Sequence, residues 1–264
     1  MVQGILRIDA SIRAAAHNVI SRGSTLDRAL RISWYDLAAG NRDAYLSWLH
    51  GTYLPLMVKR PGVMWAAHFE CEKGPPPDRL KHTDDQSVPT GNGYILIYGA
   101  ANAHVFSESA PGEPRPEPSA EEKKMLAMRV GERVNIFTDE AQADGPDAKR
   151  RDPKAGLSPC IQLGSFNCPS ADETEMLAWY ARGRLPSMSK LPGCIGVRKI
   201  VSVAGWAKHG VLYEFVSLEA RNKHFPGHEQ ANPTLESWTD RLVRKLIHAP
   251  GSPNVARRIA SVVK

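Results

Sequence analysis

No stretch of this 264-residue chain approaches the about 18 consecutive apolar residues of a membrane-crossing helix, so no membrane partner is expected. The opening MVQGILRIDASIRAAAH lacks the basic start and apolar core of a secretory leader. Cysteine is scarce: Cys71, Cys160, Cys168 and Cys194, with no C-x-x-C pair of the kind that holds zinc or runs redox chemistry. Reduced thiols in a cytoplasmic protein follow as the expectation. G-x-S-x-G, G-x-x-x-x-G-K-[ST] and G-x-G-x-x-G are all missing, which removes the sequence signals of serine hydrolase, P-loop and Rossmann sites. The net charge of +6 is concentrated visibly in Lys149-Arg150-Arg151-Asp152-Pro153-Lys154, which contains no aromatic residue. A nucleic-acid surface interleaves aromatic and basic side chains, so none is expected and the run reads as a solvated linker.

What is present is an ordinary globular composition, 42% hydrophobic and 23% charged, in a chain long enough to bury a core without staples. It contains one phrase twice. WLHGTYLPLMVKRPG (48–62) returns as WYARGRLPSMSKLPG (179–193), ungapped, with seven of fifteen positions identical. The shared residues are scaffold types: Trp48/Trp179, Leu54-Pro55/Leu185-Pro186, Met57/Met188, Lys59/Lys190 and Pro61-Gly62/Pro192-Gly193. The polar ones differ: His50 becomes Ala181, Gly51 becomes Arg182 and Tyr53 becomes Arg184.

The repeat extends through a whole unit. A β-rich run, Arg31 to Leu37, precedes the first phrase, and Gln162 to Cys168 precedes the second at the same offset. Asn41 and Asp172 stand where each helix should be capped. Pro-Gly should stop each helix. Strands are then expected at Val63–Glu70 and Gly93–Gly99 in the first copy, and at Cys194–Val203 and Gly210–Val216 in the second, the last two as a hairpin. A capping box at Ser119–Glu122 starts a helix to Met128, and Thr234 to His248 is its counterpart. Edge strands follow at Arg133–Thr138 and Val255–Val263. The predicted order is βαββαβ twice, the ferredoxin-like motif. Each unit covers one sheet face with helices and leaves the other bare, so two units can bury their bare faces in a common barrel. The expected fold is α+β: two tandem ferredoxin-like repeats forming one intramolecular α/β barrel. Its parts are an N-terminal segment (1–29), repeat 1 (30–138), a linker (139–160) and repeat 2 (161–264). A helix capped by Asp9 or Ser11 and running through Ile20 is expected before repeat 1. Residues 72–92 and the proline-rich 107–118 read as surface loops, with lids over a barrel mouth as the alternative.

Trp48-x-His50 with Leu54-Pro55 and then Pro61-Gly62 opening a strand resembles the dimeric α/β-barrel superfamily, in its EthD-like branch. Trp179, Leu185-Pro186 and Pro192-Gly193 carry the same resemblance in the second copy, as does Glu214-Phe215-Val216-Ser217-Leu218-Glu219-Ala220. The resemblance implies a barrel whose interior forms a small-molecule pocket. It also implies a company of isomerases, cyclases, cofactor-independent monooxygenases, decarboxylases and dehydratases, with some haem-using relatives. The family's helix histidine maps onto His50 alone, because Ala181 replaces it in the second copy.

Two histidines are therefore the candidate acid/base groups: His50, and His68 in strand two, which alternation places on one face with Met64, Ala66 and Glu70. Candidate substrate-binding residues are Tyr45, Tyr53, Trp34 and Trp65, which could stack on a planar ligand, and Arg182 and Arg184, which could hold a carboxylate. Asp36 reads as a turn cap, or as an orienter of a histidine. His224-Phe225-Pro226-Gly227-His228 lacks helical ligand geometry, so no metal is expected there, and no cofactor elsewhere. The expected function is proton transfer on a small aromatic or polyketide-like substrate, of isomerase, cyclase, lyase or decarboxylase type. A non-catalytic ligand carrier and a haem-handling relative are the alternatives, and a homodimer is a further expectation.

Overall fold

The computed structural model describes residues 27–74, 78–107 and 117–264. The expected helix through Ile20 lies outside them. Strand β1 (Ala29–Leu37) leads into helix α1, which runs without a break through Arg42–Trp48, a wide π turn at Leu49–Tyr53, and Leu54–Val58. Next come β2 (Val63–Cys71), the two-residue β3 (Lys81–His82), β4 (Tyr94–Ala100), α2 (Ala120–Leu126) and β5 (Arg129–Asp144). The second half repeats the plan. It has β6 (Cys160–Asn167), then α3 as Glu173–Trp179, a π turn Tyr180–Arg184 and Leu185–Met188. β7 (Cys194–Ala204), β8 (His209–Phe215), α4 (Leu218–His224), α5 (Pro233–Val243), β9 (Ile247–His248) and β10 (Asn254–Val263) follow.

The first half orders its strands β2-β4-β1-β5, and the second β7-β8-β6-β10, all neighbours antiparallel. Antiparallel pairing of β5 with β7 and of β10 with β2 joins the halves and closes an eight-stranded barrel. β3 and β9 pair with each other, and β9 joins β6, beside this ring. The alternation of ALRISWYDL explains how one strand serves two layers. Leu30, Ile32 and Trp34 point into the barrel with Trp65, Phe69, Ile97, Phe137 and Leu212. Tyr35 points out, under α1, with Tyr45, Trp48, Leu54, Leu96 and Tyr98. Around α3 and α5 a third cluster holds Trp179, Tyr180, Met188, Phe215 and Leu242.

Each helix-stopping glycine is in the left-handed region, Gly62 at φ 80° and Gly193 at φ 81°, where a side chain would be strained. Several expectations need correction. Asn41 and Asp172 do precede their helices, but neither side chain accepts a helix N–H, and Asp172 instead binds Lys245 at 2.6 Å. β5 runs on to Asp144, so residues 139–144 of the expected linker are strand, lengthened because they must reach β7 to close the barrel. The helix expected from Thr234 to His248 stops at Val243, and Ile247–His248 pair with β6 and β3. A register shift between Val63 and Trp65 turns Met64 inward, so Met64 does not share the outward face of Ala66. The barrel centre is filled: Trp34, Phe69, Ile95, Ile97 and Phe137 have no accessible surface, so packed side chains occupy the place where the resemblance implies a pocket.

Candidate functional site

The π turn decides where His50 goes. Pro55 lacks the N–H that would bond the carbonyl four residues back, and its ring crowds that carbonyl. Widening the helix at Leu49–Tyr53 relieves both and places Pro55 in the first turn of the next regular segment. Pro186 has the same relation to Tyr180–Arg184. His50, in the widened turn, meets His68 of β2: its Nε2 lies 2.8 Å from His68 Nδ1. His68 Nε2 lies 2.7 Å from the Tyr35 hydroxyl on β1. Tyr45 of α1 donates its hydroxyl to Tyr35 at 3.4 Å, and Arg129 at the start of β5 donates Nε to the Tyr45 oxygen at 2.6 Å. The Arg129 guanidinium sits 4.6 Å over the Tyr35 ring and pairs with Glu132 at 2.6 Å. The His68 ring is also nearly parallel to those of Tyr35 (7°) and Tyr94 (24°), the three grouped at 5.5–5.9 Å between centroids.

The chain of bonds has one direction. A guanidinium has no acceptor, so Tyr45 must accept from it. Tyr45's single hydrogen then goes to Tyr35, Tyr35's to His68 Nε2, and His68 Nδ1–H to His50 Nε2. A neutral His50 is thereby left with its proton on Nδ1. Serial bonds of the same polarity strengthen one another in a low-dielectric layer. Burial lowers His50, which is half-buried. It lowers His68 much further, helped by the charges of His50 and Arg129. Burial raises Tyr35 strongly and Tyr45 less so, with Arg129 opposing both shifts. Burial alone would lower Arg129, but Tyr45, Tyr35 and Glu132 more than offset it and hold the guanidinium above its ordinary value. At neutral pH the assembly is two neutral imidazoles, two phenols and one cation.

Of the predicted site residues, His50, His68 and Tyr45 thus come together. His68 is fully buried with both ring nitrogens engaged, so it reaches solvent only through His50. Tyr53 stacks on Trp48 (4.7 Å, 22°) in the same layer, and its hydroxyl is not part of the chain. Trp34 and Trp65 point into the barrel, away from the histidines, and Trp65 donates to Asp27 at 2.9 Å. Arg182 and Arg184 belong to the other half and cannot share a site with His50. Arg184 is buried, 4.7 Å over Trp179, bonded to His228 and paired with Glu229 at 3.3 Å. Arg182 is exposed on a surface cleft of about 690 Å³ with Lys190, His224, Leu235 and Trp238. Asp36 reaches a distant segment instead of its own turn, accepting from Gly93 N at 2.7 Å in the loop before β4.

Tyr35 and Arg129 were missed. Tyr35 had a signal, since the constant offset sets it against Phe166, the same ring without the hydroxyl. Arg129 had none, because the offset is lost before β5. In the second half Lys199 stands where His68 does, fully buried, bonded to Glu140 at 2.9 Å and to His209 at 3.3 Å. That position is occupied by an ion pair rather than a member of such a hydrogen-bond chain.

No protein-family model matches the chain, and no curated protein matches it in sequence. Solved structures do match in fold. An anthrone oxidase-like protein superposes with a TM-score of 0.61 at 10% identity, covering 89% of this chain and 92% of that one. A monooxygenase-like protein from Fusobacterium nucleatum subsp. nucleatum gives 0.56 at 9% identity, over 89% and 94%. Another from Lactobacillus acidophilus NCFM gives 0.52 at 12% identity, over 89% and 95%. Among the described residues no helix is long and apolar enough to cross a membrane. The architecture is that of the ferredoxin-like α/β-barrel proteins.

Proposed function

We propose that the protein is a small-molecule enzyme that moves a proton through His50, and that its substrate is an oxygen-bearing aromatic or polyketide-like compound. The observation that carries this reading is the unbroken chain Arg129–Tyr45–Tyr35–His68–His50, closed at one end by a donor-only cation and half-exposed at the other. His50 gives its Nδ1 proton to a substrate oxygen and takes the His68 Nδ1 proton on Nε2. His68 takes the Tyr35 proton, and Tyr35 that of Tyr45. The Tyr45 phenolate so formed rests against Arg129, whose charge opposes the cost of ionising a buried phenol. The reverse shift restores the resting state, so no external acid or base is consumed. Isomerisation, cyclisation or elimination of a carbon acid needs such a reversible proton. The anthrone oxidase-like neighbour supports the fold, and its name agrees with the substrate class.

Two tandem ferredoxin-like units that arose by duplication, with kinship to the EthD-like branch, complete the proposal. The identical π turns and matched strand orders support it. A cytoplasmic setting agrees with four free thiols. A haem finds no space in the barrel centre or in the layer under α3. Packed side chains fill the barrel centre, and Trp179, Tyr180, Met188 and Phe215 fill the layer under α3. His68, His209 and His228 have both ring nitrogens engaged. The test is deuterium exchange from D2O into a panel of hydroxylated aromatic ketones. His50→Ala should slow exchange about a hundredfold or more, and Tyr35→Phe should slow it with the fold intact by circular dichroism. Binding of the panel without exchange by the wild type would make the protein a carrier rather than an enzyme.

A further inference from the structure

One end of the barrel interior is polar where its middle is apolar. Continuing the inward alternation beyond Phe137, Leu163 and Ala256 brings in Arg133 from β5, Ser165 from β6 and Asn254 from β10, at the end marked by Trp34 of β1. Arg133 stands opposite Trp34 in the β1–β5 pairing, and its guanidinium lies 4.7 Å over the indole ring. Both are buried. Arg133 donates Nη1 to the Gly91 carbonyl at 2.9 Å. Among the described residues its Nε and Nη2 have no hydrogen-bond partner, and neither do Trp34 Nε1, Ser165 Oγ and Asn254 Oδ1.

This arrangement is unlike the other buried arginines. Arg198 is held by Asp27 and Asp139, and Arg129 by Glu132. Among the described residues no carboxylate makes an ion pair with Arg133, although Asp36 acts on its charge without bonding to it. Burial pulls it down to about 10. A buried cation with two unmet donors is costly. Its orphaned pair, Nε and Nη2, is one edge of the planar fork, which matches the two oxygens of a carboxylate.

We propose that this end of the barrel binds the carboxylate of a small molecule. Arg133 Nε and Nη2 take its two oxygens, with the Trp34 indole N–H as a third donor. The backbone at Gly91 lies against the site, its carbonyl bonded to Arg133. It lies so close to β1 that a Cβ there would fall 2.6 Å from Tyr35 Cα. The site is separate from the His50 chain, because Trp34 and Tyr35 point to opposite sides of β1.

The test needs no turnover assay. The ¹⁵N-labelled full chain is titrated with sodium formate, acetate and benzoate against sodium chloride at matched ionic strength. The Trp34 indole resonance is assigned by its loss in Trp34→Phe. Formate should shift that resonance saturably in the wild type. Arg133→Lys, which keeps the charge and loses the fork, should weaken binding about tenfold, the size of one charge-assisted hydrogen bond. Arg133→Met should abolish the shift, and if that variant does not fold, the lysine variant decides. A Trp34 resonance that none of the three carboxylates moves, or that moves equally in Arg133→Lys, would overturn the proposal.

Discussion

His50 and His68 show how a residue's role is set by what it cannot do. Arg129 cannot accept a hydrogen bond, and that single restriction propagates through two phenols to fix which nitrogen of each imidazole carries the proton. His248 shows the energetic side of the same burial. Burial pulls it down to about 4 from an ordinary 6.5, with its ring beside the Lys81 carbonyl. A depressed imidazole favours the neutral form in the folded state. Its contribution is therefore whole above pH 6.5 and is lost as the pH falls toward 4, roughly 3 kcal/mol across that span. Urea midpoints measured from pH 7 to 4.5 should fall more steeply for the wild type than for His248→Gln. Equal slopes would mean that other groups carry the acid sensitivity.

The elements were largely legible, because each rested on a local rule. The phrase that occurs twice gave two helices with prolines in the same place, and two Pro-Gly stops before strands. The inward and outward alternation of β1 and β2 followed from their spelling. What could not be read was set by distant partners. β5 is longer than its apolar pattern because it pairs with β7, and Asp172 is diverted from capping by Lys245. The π turn needs a second consideration beyond the proline rule, since a proline in a helix can also kink or end it. Matched tryptophans test the equivalence of the two helices. Trp48 packs among Tyr45 and Tyr53, and Trp179 among Tyr180 and Thr239, to which its indole donates at 2.9 Å. Replacement of either by alanine should cost about 3–5 kcal/mol in denaturant unfolding. A loss below about 1 kcal/mol at either position would mean that the helix there is not held by its tryptophan.

At the scale of the whole molecule the two halves share a scaffold and divide their polar chemistry. Neither half can bury its own sheet face, since the core cluster draws on strands of both. Residues 27–147 and 148–264 expressed apart should each stay poorly folded and recover the far-ultraviolet spectrum of the intact chain when mixed. A half that folds cooperatively alone would show that the barrel is not one unit. The half-site asymmetry was visible in the sequence as His50 against Ala181 and His68 against Lys199. The inner members of the hydrogen-bond chain, Tyr35 and Arg129, were not, because only the closed sheet brings them under α1. The most direct test of the hydrogen-bond chain is long-range ¹H–¹⁵N correlation of the nine histidine rings in the intact protein from pH 8 to 5, assigned by single substitution. The account predicts that at pH 7 His50 and His68 are both neutral with the proton on Nδ1, that Tyr45→Phe frees His68 to switch tautomer, and that His68 stays neutral to lower pH than His50. A His50 ring protonated at pH 7, or carrying its proton on Nε2, would contradict it.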